Sequence, residues 1–380
     1  MPTESQNFGP VDSRENIAEL DGIRGLAILF VLLWHYVGIP LSAQPESLLM
    51  SLKHSLVFFR TGVDLFFVLS GFLISGILLD NRESGSYFRV FYGRRVLRIF
   101  PLYYVWLSIF CIANLFDVSS YIFVSPIPLW SYFSFTQNYT MASEGTYGAI
   151  WLGVTWSLAI EEQFYLIFPF IIRWSRKFFL CLIALGIMGA PLLRIYTYYH
   201  FHQSDWASYV WLPCRLDSLC WGALLAFLCR QPRALNVLEK MRNALPIGAL
   251  ILSIGAVFLG AKLAEDVGYH SSIWGHTYLA VFYSSVVLMA VVWRGQGAVA
   301  FLRAAWLRKL GRISYGVYLV HSGVLALTFA MLHRATRLGG IADALIIGLA
   351  LTITLTLCSA SYRWFESPLL KIGHHLRYDK

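Results

Sequence analysis

The sequence predicts an all-α protein, a polytopic transmembrane helical bundle of about ten spans. Of the 380 residues, 57% are hydrophobic and only 13% are charged, whereas a soluble domain carries about 25% charged residues. Apolar stretches of roughly 20 residues, the length that crosses a bilayer, follow one another along nearly the whole chain. Most of the surface is therefore expected to face lipid.

The chain divides into one transmembrane domain, residues 23–361, between two tails, 1–22 and 362–380. The polar start lacks the pattern of a signal peptide, so the first span is expected to stay in the membrane. Pro191 interrupts the fifth span, and the polar start of the fourth is compatible with a partly re-entrant segment. The predicted spans are 23–41, 62–80, 101–117, 151–172, 178–198, 214–229, 245–262, 274–293, 313–332 and 341–361.

Lysine and arginine are concentrated in alternate loops. They are frequent in 82–98, 173–177, 230–242 and 294–312 and absent from 118–150. The positive-inside rule then places both termini in the cytoplasm. The net charge of +9 is spread between apolar spans rather than gathered on one soluble face, so no nucleic-acid partner is expected.

Neither cysteine nor histidine spacing indicates a metal site. The six cysteines lie in or beside apolar stretches without a CxxC pattern and are expected to be buried free thiols. No two of the histidines at 35, 270, 276 and 321 have ligand spacing on one helix.

The first polar group inside a span is Arg24 with His35. A charged side chain within the membrane is costly, and each is a functional candidate. The two residues are eleven positions apart, so they share a helical face at about 16 Å separation. Arg24 is expected near the cytoplasmic edge and His35 deep in the membrane; the alternative is a histidine that only packs.

The second group lies at the start of the next span, and the third group precedes the span after that. Asp64 lies near the outer end of its span, while Ser70 and Gly71 are expected to serve helix packing. Arg95 and Arg98 are three positions apart and share a face, which suits a phosphate clamp because each guanidinium can bind oxygens bidentately. The alternative is that this pair only sets topology.

The fourth group is TWSLAIEEQFY. Its adjacent glutamates, Glu161 and Glu162, point about 100° apart on a helix, so at most one faces a given partner. Glu161 and Tyr165 are i, i+4 neighbours. A carboxylate here can hold a histidine in one tautomer during proton transfer; the alternative is an ion pair inside the bundle.

Two weaker signals lie further along the chain. CRLDSLCWGALLA places Arg215 and Asp217 at the outer start of a span, and GRISYGVYLVH places Ser314, Tyr318 and His321 on one stripe. The alternative for each set is a purely structural role in the helix bundle.

Six motifs in this order resemble the acyltransferase 3 family of membrane-bound O-acyltransferases. They are LDGIRGLAILFVLLWH, FFVLSGFLIS, RRVLRIFPLYY, WSLAIEEQFY, RLDSLCWGALLA and GRISYGVYLVH. The resemblance implies about ten transmembrane helices and an acyl-CoA donor, commonly acetyl-CoA, that approaches from the cytoplasm. It also implies functional roles for Arg24, His35, Arg95, Arg98 and Glu161.

The predicted function is transfer of an acyl group, expected to be acetyl, from acyl-CoA to a hydroxyl of a carbohydrate or cell-envelope acceptor. His35 is expected to act as general base with Glu161 orienting it, and Arg24, Arg95 and Arg98 to bind the donor. Direct transfer is favoured over an acyl-enzyme. Further candidates for substrate binding are Asp64, Tyr165, Arg215, Asp217, Tyr318 and His321.

The alternative function is a proton-coupled secondary transporter, since intramembrane His, Arg and Glu also form proton relays. Against it, the sequence shows no paired broken helices in two halves.

Neither a metal nor a permanently bound cofactor is expected. The partners are acyl-CoA, the acceptor and the lipid bilayer of a bacterial-type inner membrane, and a homo-oligomer is left open. Some relatives carry a hydrolase-like domain after the last span; about twenty residues follow here, so no second transfer step is expected.

Overall fold

The regular elements of the described chain are helices, which confirms the all-α prediction. The computed structural model describes residues 17–44, 47–116, 121–200, 206–265 and 273–379. Within these ranges the extended backbone makes only one isolated bridge, between Leu41 and Leu338. Most of the predicted N-terminal tail and His270 lie outside the described residues.

Seventeen α-helices follow one another along the described residues. They are α1 Ala18–Leu33, α2 Leu48–Leu56, α3 Gly62–Asp80, α4 Tyr87–Leu115, α5 Leu129–Phe133, α6 Gln137–Glu144, α7 Thr155–Trp174, α8 Arg176–His200, α9 Trp206–Val210, α10 Leu212–Leu228, α11 Pro232–Lys240, α12 Leu245–Glu265, α13 Gly275–Val292, α14 Ala305–Arg312, α15 Ser314–Met331, α16 Ile341–Ser361 and α17 Ser367–His375. A π-helical turn, Trp34–Gly38, continues α1, and a second, Tyr362–Glu366, joins α16 to α17.

Nine helical segments in the described part of the chain are long and apolar enough to cross a membrane. They match nine of the predicted spans. The fourth predicted span corresponds to α7, which has 20 residues and so is about 30 Å long. It carries Glu161 and Glu162, which lower its hydropathy.

Three helices differ from their predicted form. The third span was expected to begin at residue 101, but α4 begins at Tyr87, which places Arg95 and Arg98 on a continuous helix. The fourth span is one uninterrupted helix rather than a re-entrant segment. Helix α8 also continues through Pro191, because a membrane bundle tolerates the lost backbone hydrogen bond when neighbouring groups replace it.

Close packing of α3 and α10 forms the centre of the bundle. A Cβ atom at Gly71 would lie 2.0 Å from the carbonyl oxygen of Leu219, and one at Gly222 would lie 2.0 Å from that of Val68. Only glycine permits this approach, as the small-residue pattern of membrane helices predicts. Exposed apolar side chains recur on the outside of the bundle, as expected of a lipid-facing surface; examples are Ile247, Leu250, Ile254, Leu345, Leu349 and Ile353.

Basic loops meet at one end of the bundle, called here the basic end. The guanidinium of Arg173 donates to the carbonyl oxygen of Ser84 at 3.0 Å. The hydroxyl of Ser86 donates to the backbone carbonyl oxygen of Arg377 at 3.2 Å. The segment 121–154 lies at the other end, where the Trp106 and Trp151 rings stack at 3.9 Å. Each indole N–H of this pair donates to the partner's backbone carbonyl.

Candidate active site

A cavity of about 1030 Å³ opens in the bundle between α1, α3, α4, α7, α15 and the chain after α17. It reaches from the basic end to Phe67 and Tyr318 inside the bundle. Six residues singled out from the sequence line it: Arg24, Arg95, Arg98, Glu161, Tyr165 and Tyr318. The structure therefore brings together residues from four helices that are distant in the sequence.

One wall of the cavity is basic. Arg24 pairs with Asp21 on the same helix at 2.6 Å. Neither Arg95 nor Arg98 forms an ion pair with a described carboxylate. The Arg95 guanidinium carbon lies 5.8 Å from the centre of the Tyr165 ring, and its buried Nε has no hydrogen-bond partner among the described residues. Two neighbouring guanidinium groups without a direct ion pair favour an anionic ligand.

The facing wall carries a carboxylate and two hydroxyl groups. The Ser70 hydroxyl donates to Glu161 Oε1 at 2.6 Å, and the Tyr165 hydroxyl donates to Ser70 Oγ at 3.1 Å. Glu162 is not among the lining residues, as expected when two adjacent helical positions point apart. Ser70 was predicted to serve packing alone; the structure corrects this, since its hydroxyl lies in the cavity.

Two histidines lie together beyond the inner part of the cavity. The His35 and His321 rings are perpendicular, with centres 4.6 Å apart. His35 Nδ1 donates to the carbonyl oxygen of Val31 at 2.9 Å, and His321 Nδ1 donates to that of Tyr318 at 2.7 Å. A carbonyl oxygen only accepts, so in both neutral rings Nε2 keeps the lone pair that can accept a proton.

The expected contact between His35 and Glu161 is not formed. His35 hydrogen-bonds to its own helix and packs on His321, whereas the carboxylate of Glu161 accepts from Ser70. Tyr318 lies between the two groups of residues: it lines the cavity, and its ring centre is 5.8 Å from that of His321. Its hydroxyl also hydrogen-bonds with Ser157.

Comparison with known proteins decides the family. A family model described as an acyltransferase domain matches residues 17–363, which is most of the chain. The chain belongs to this acyltransferase family. The family match confirms the resemblance drawn from the sequence, and nine helical segments of the described chain are long and apolar enough to cross a membrane.

Curated relatives of this chain are longer proteins. The peptidoglycan O-acetyltransferase OatA of Listeria monocytogenes serovar 1/2a is 27% identical over 390 residues, covering 95% of this chain and 57% of the relative. The O-acetyltransferase OatA of Staphylococcus aureus strain NCTC 8325 is 25% identical, covering 93% of this chain and 57% of that protein. The chain thus spans somewhat more than half the length of these relatives. No solved structure matches it.

The remaining sequence candidates Asp64, Arg215 and Asp217 belong to a buried ion network outside the cavity. Arg215 pairs with Asp64 at 2.5 Å, and Arg194 pairs with Asp217 at 2.7 Å. His276 Nδ1 lies 3.3 Å from Asp64 Oδ1. None of these five residues is among those lining the cavity, so the network joins α3, α8, α10 and α13.

Sequence reasoning missed the partners in this network. Arg194 was visible as a charge in an apolar span, and leaving such a charge without a partner is destabilising, so the position favoured a polar or charged partner. Its identity follows only from the packing of α8 against α10. For His276 the sequence carried no signal beyond its place at the start of a span.

Proposed function

We propose that the chain transfers an acetyl group from acetyl-CoA to a hydroxyl of a cell-envelope carbohydrate. One observation carries the proposal: an arginine-lined cavity of about 1030 Å³ leads from the basic end toward the pair of histidines. Coenzyme A is a long chain with phosphates at one end and a thioester at the other. Such a donor fits a cavity that is basic at its mouth and apolar inside.

The donor phosphates bind at Arg95 and Arg98, with Arg24 close by. Both α4 guanidinium groups lack a carboxylate partner in the described chain and can bind phosphate oxygens through two N–H groups each. The pantetheine arm then extends along Phe67 and Tyr318, which carry the thioester toward the histidines.

His35 acts as general base through Nε2. It takes the proton of the acceptor hydroxyl while the hydroxyl oxygen attacks the thioester carbonyl; the C–O bond forms and the C–S bond breaks. The proton then passes to the departing thiolate, so free coenzyme A leaves and no acyl-enzyme forms. The hydrogen bond from Nδ1 to Val31 fixes the tautomer that this step needs.

Glu161 acts inside the cavity rather than on His35. It accepts the hydrogen bond of the Ser70 hydroxyl, and Ser70 Oγ accepts that of Tyr165, so Glu161 holds these two side chains in place beside the thioester region. We assign Asp64, Arg215 and Asp217 to holding the helices around the site, because each is paired within the buried network. His321 supports His35 by ring packing.

The donor cavity faces the cytoplasm of a bacterial-type inner membrane in this proposal. Support comes from the basic loops that meet at its mouth, since cytoplasmic loops carry excess lysine and arginine. Both ends of the chain then lie on the donor side.

The test is release of free thiol from acetyl-CoA by the purified chain, with and without a peptidoglycan fragment as acceptor. An acyltransferase releases thiol in proportion to acceptor acetylated. A transporter would release none, and that result with protein that binds acetyl-CoA would contradict the proposal.

A further inference from the structure

Another arginine without a carboxylate ion pair lies at the end of the bundle opposite the donor cavity. Arg60 is in the 3-10 turn Val57–Thr61 that precedes α3 and is half-buried. Its guanidinium carbon is 5.7 Å from the centre of the Trp34 ring and 5.5 Å from that of Tyr209.

Two other arginines near that end, the buried Arg215 and the partly exposed Arg334, are neutralised. Arg215 pairs with Asp64 at 2.5 Å, and Arg334 pairs with Asp343 at 2.9 Å. Arg60 forms no ion pair with any carboxylate in the described ranges. Aromatic faces attract a cation but do not neutralise it, and a half-buried guanidinium favours an anionic partner.

The position of Arg60 relates it to the acceptor rather than to the donor. Trp34, which it contacts, directly precedes the proposed base His35. Arg60 is absent from the residues lining the donor cavity, and the donor arginines are on the other side of His35 along the bundle. A group bound at Arg60 would therefore reach the base from the side opposite to acetyl-CoA.

The surroundings of Arg60 suit a sugar. Tyr147 packs on Trp206 with ring centres 4.3 Å apart, and Tyr147 also lies near Tyr209, at 6.5 Å. These rings combine flat apolar faces with polar edges, which complement the alternating C–H and O–H groups of a carbohydrate. Aromatic belts are common at membrane interfaces, but a belt alone does not require among its rings a guanidinium that lacks a carboxylate ion pair.

We propose that Arg60, Trp34 and Tyr209 form the acceptor subsite and that the acceptor is an anionic carbohydrate whose carboxylate pairs with Arg60. The sugar ring lies against the aromatic faces, and one hydroxyl points toward His35. This assignment rests on the proposed function for its biological meaning, but the subsite makes a binding prediction that does not depend on catalysis.

The experiment measures binding of two probes to the purified full chain in detergent. One is the disaccharide of N-acetylglucosamine and N-acetylmuramic acid with its free lactyl carboxylate; the other is the same disaccharide with the carboxylate converted to a carboxamide. The wild type should bind the carboxylate form about tenfold more tightly, the ratio expected for one charge-assisted contact. R60Q should bind both forms with the affinity of the wild type for the carboxamide.

Two further variants and one binding control complete the design. Arg60→Lys should retain part of the preference because it keeps the charge. Lys53→Gln removes a cation from the same end, where Lys53 donates to the Leu41 carbonyl, and should keep the full preference. Acetyl-CoA binding shows that each variant is folded.

Equal binding of the two probes by the wild type, or an equal loss of both in R60Q, would overturn the subsite. Acetyl transfer is scored separately. A wild type that prefers the carboxylate but transfers no acetyl group supports the subsite and contradicts the proposed function.

Discussion

At the scale of single residues, the proposed donor site depends on two guanidinium groups that form no direct ion pair with a described carboxylate. Arg95→Ala combined with Arg98→Ala should raise the KM for acetyl-CoA by about tenfold or more, since a hydrogen bond to a charged group contributes about 1.5–3 kcal/mol. The KM for the acceptor should change little. Steady-state kinetics with each substrate varied in turn gives both values.

Arg89→Ala is the matched control for this pair. It lies on the same helix and carries the same charge, but its side chain is exposed and outside the cavity lining. It should leave both KM values near those of the wild type. If the double variant inserts correctly and binds acetyl-CoA as the wild type does, the pair serves topology alone.

At the scale of helices, the packing of α3 on α10 depends on glycine. Gly222→Ala should destabilise the bundle by about 1–3 kcal/mol, the usual cost of overpacking, because its Cβ would lie 2.0 Å from the Val68 carbonyl oxygen. Thermal unfolding in detergent measures the change. Gly248→Ala is the control, since nothing lies within 4 Å of its Cβ; similar melting temperatures for both variants would argue against the close contact.

The chain after α17 forms part of the cavity wall. Arg94 Nη2 donates to the Leu376 carbonyl at 2.6 Å, and the Asp379 N–H donates to Ser86 Oγ at 3.0 Å. Removing residues 376–380 should open the mouth and weaken acetyl-CoA binding by about tenfold. Arg377→Ala removes one side chain and keeps the wall, so it should have a smaller effect in the same binding assay. Unchanged affinity in the truncated, folded protein would exclude this role.

At the scale of the whole molecule, the proposed orientation makes the two ends distinguishable. In a background with Cys111 and Cys181 replaced by serine, a cysteine at the exposed position Ser143 should react with an impermeant thiol reagent in intact cells. A cysteine at the exposed position Ala298 should react only after the membrane is opened. The reverse pattern would invert the orientation and place the donor cavity outside.

Much of this fold follows from the sequence, because apolar length and charge patterning set the spans. The start of α4 was misplaced because arginines lower the hydropathy of this segment. The chain from Tyr87 to Phe100 is helical although its composition does not resemble a membrane span. A shared helical face related Arg95 to Arg98, but no such relation linked them to Arg24, which is on another helix and lines the same cavity. The pairing of His35 with His321 rather than Glu161 could not be predicted either, because it depends on how α1 packs against α15.

The most direct test of the proposed chemistry is transfer of labelled acetyl from acetyl-CoA to a peptidoglycan fragment by purified wild type and His35→Ala proteins. The wild type should label the glycan. The variant should bind acetyl-CoA normally but transfer at least about 10²-fold more slowly, the usual contribution of a general base. His54→Ala, a histidine outside the cavity, should keep the wild-type rate. A folded His35→Ala protein with near-normal transfer would contradict the role of His35 as the base.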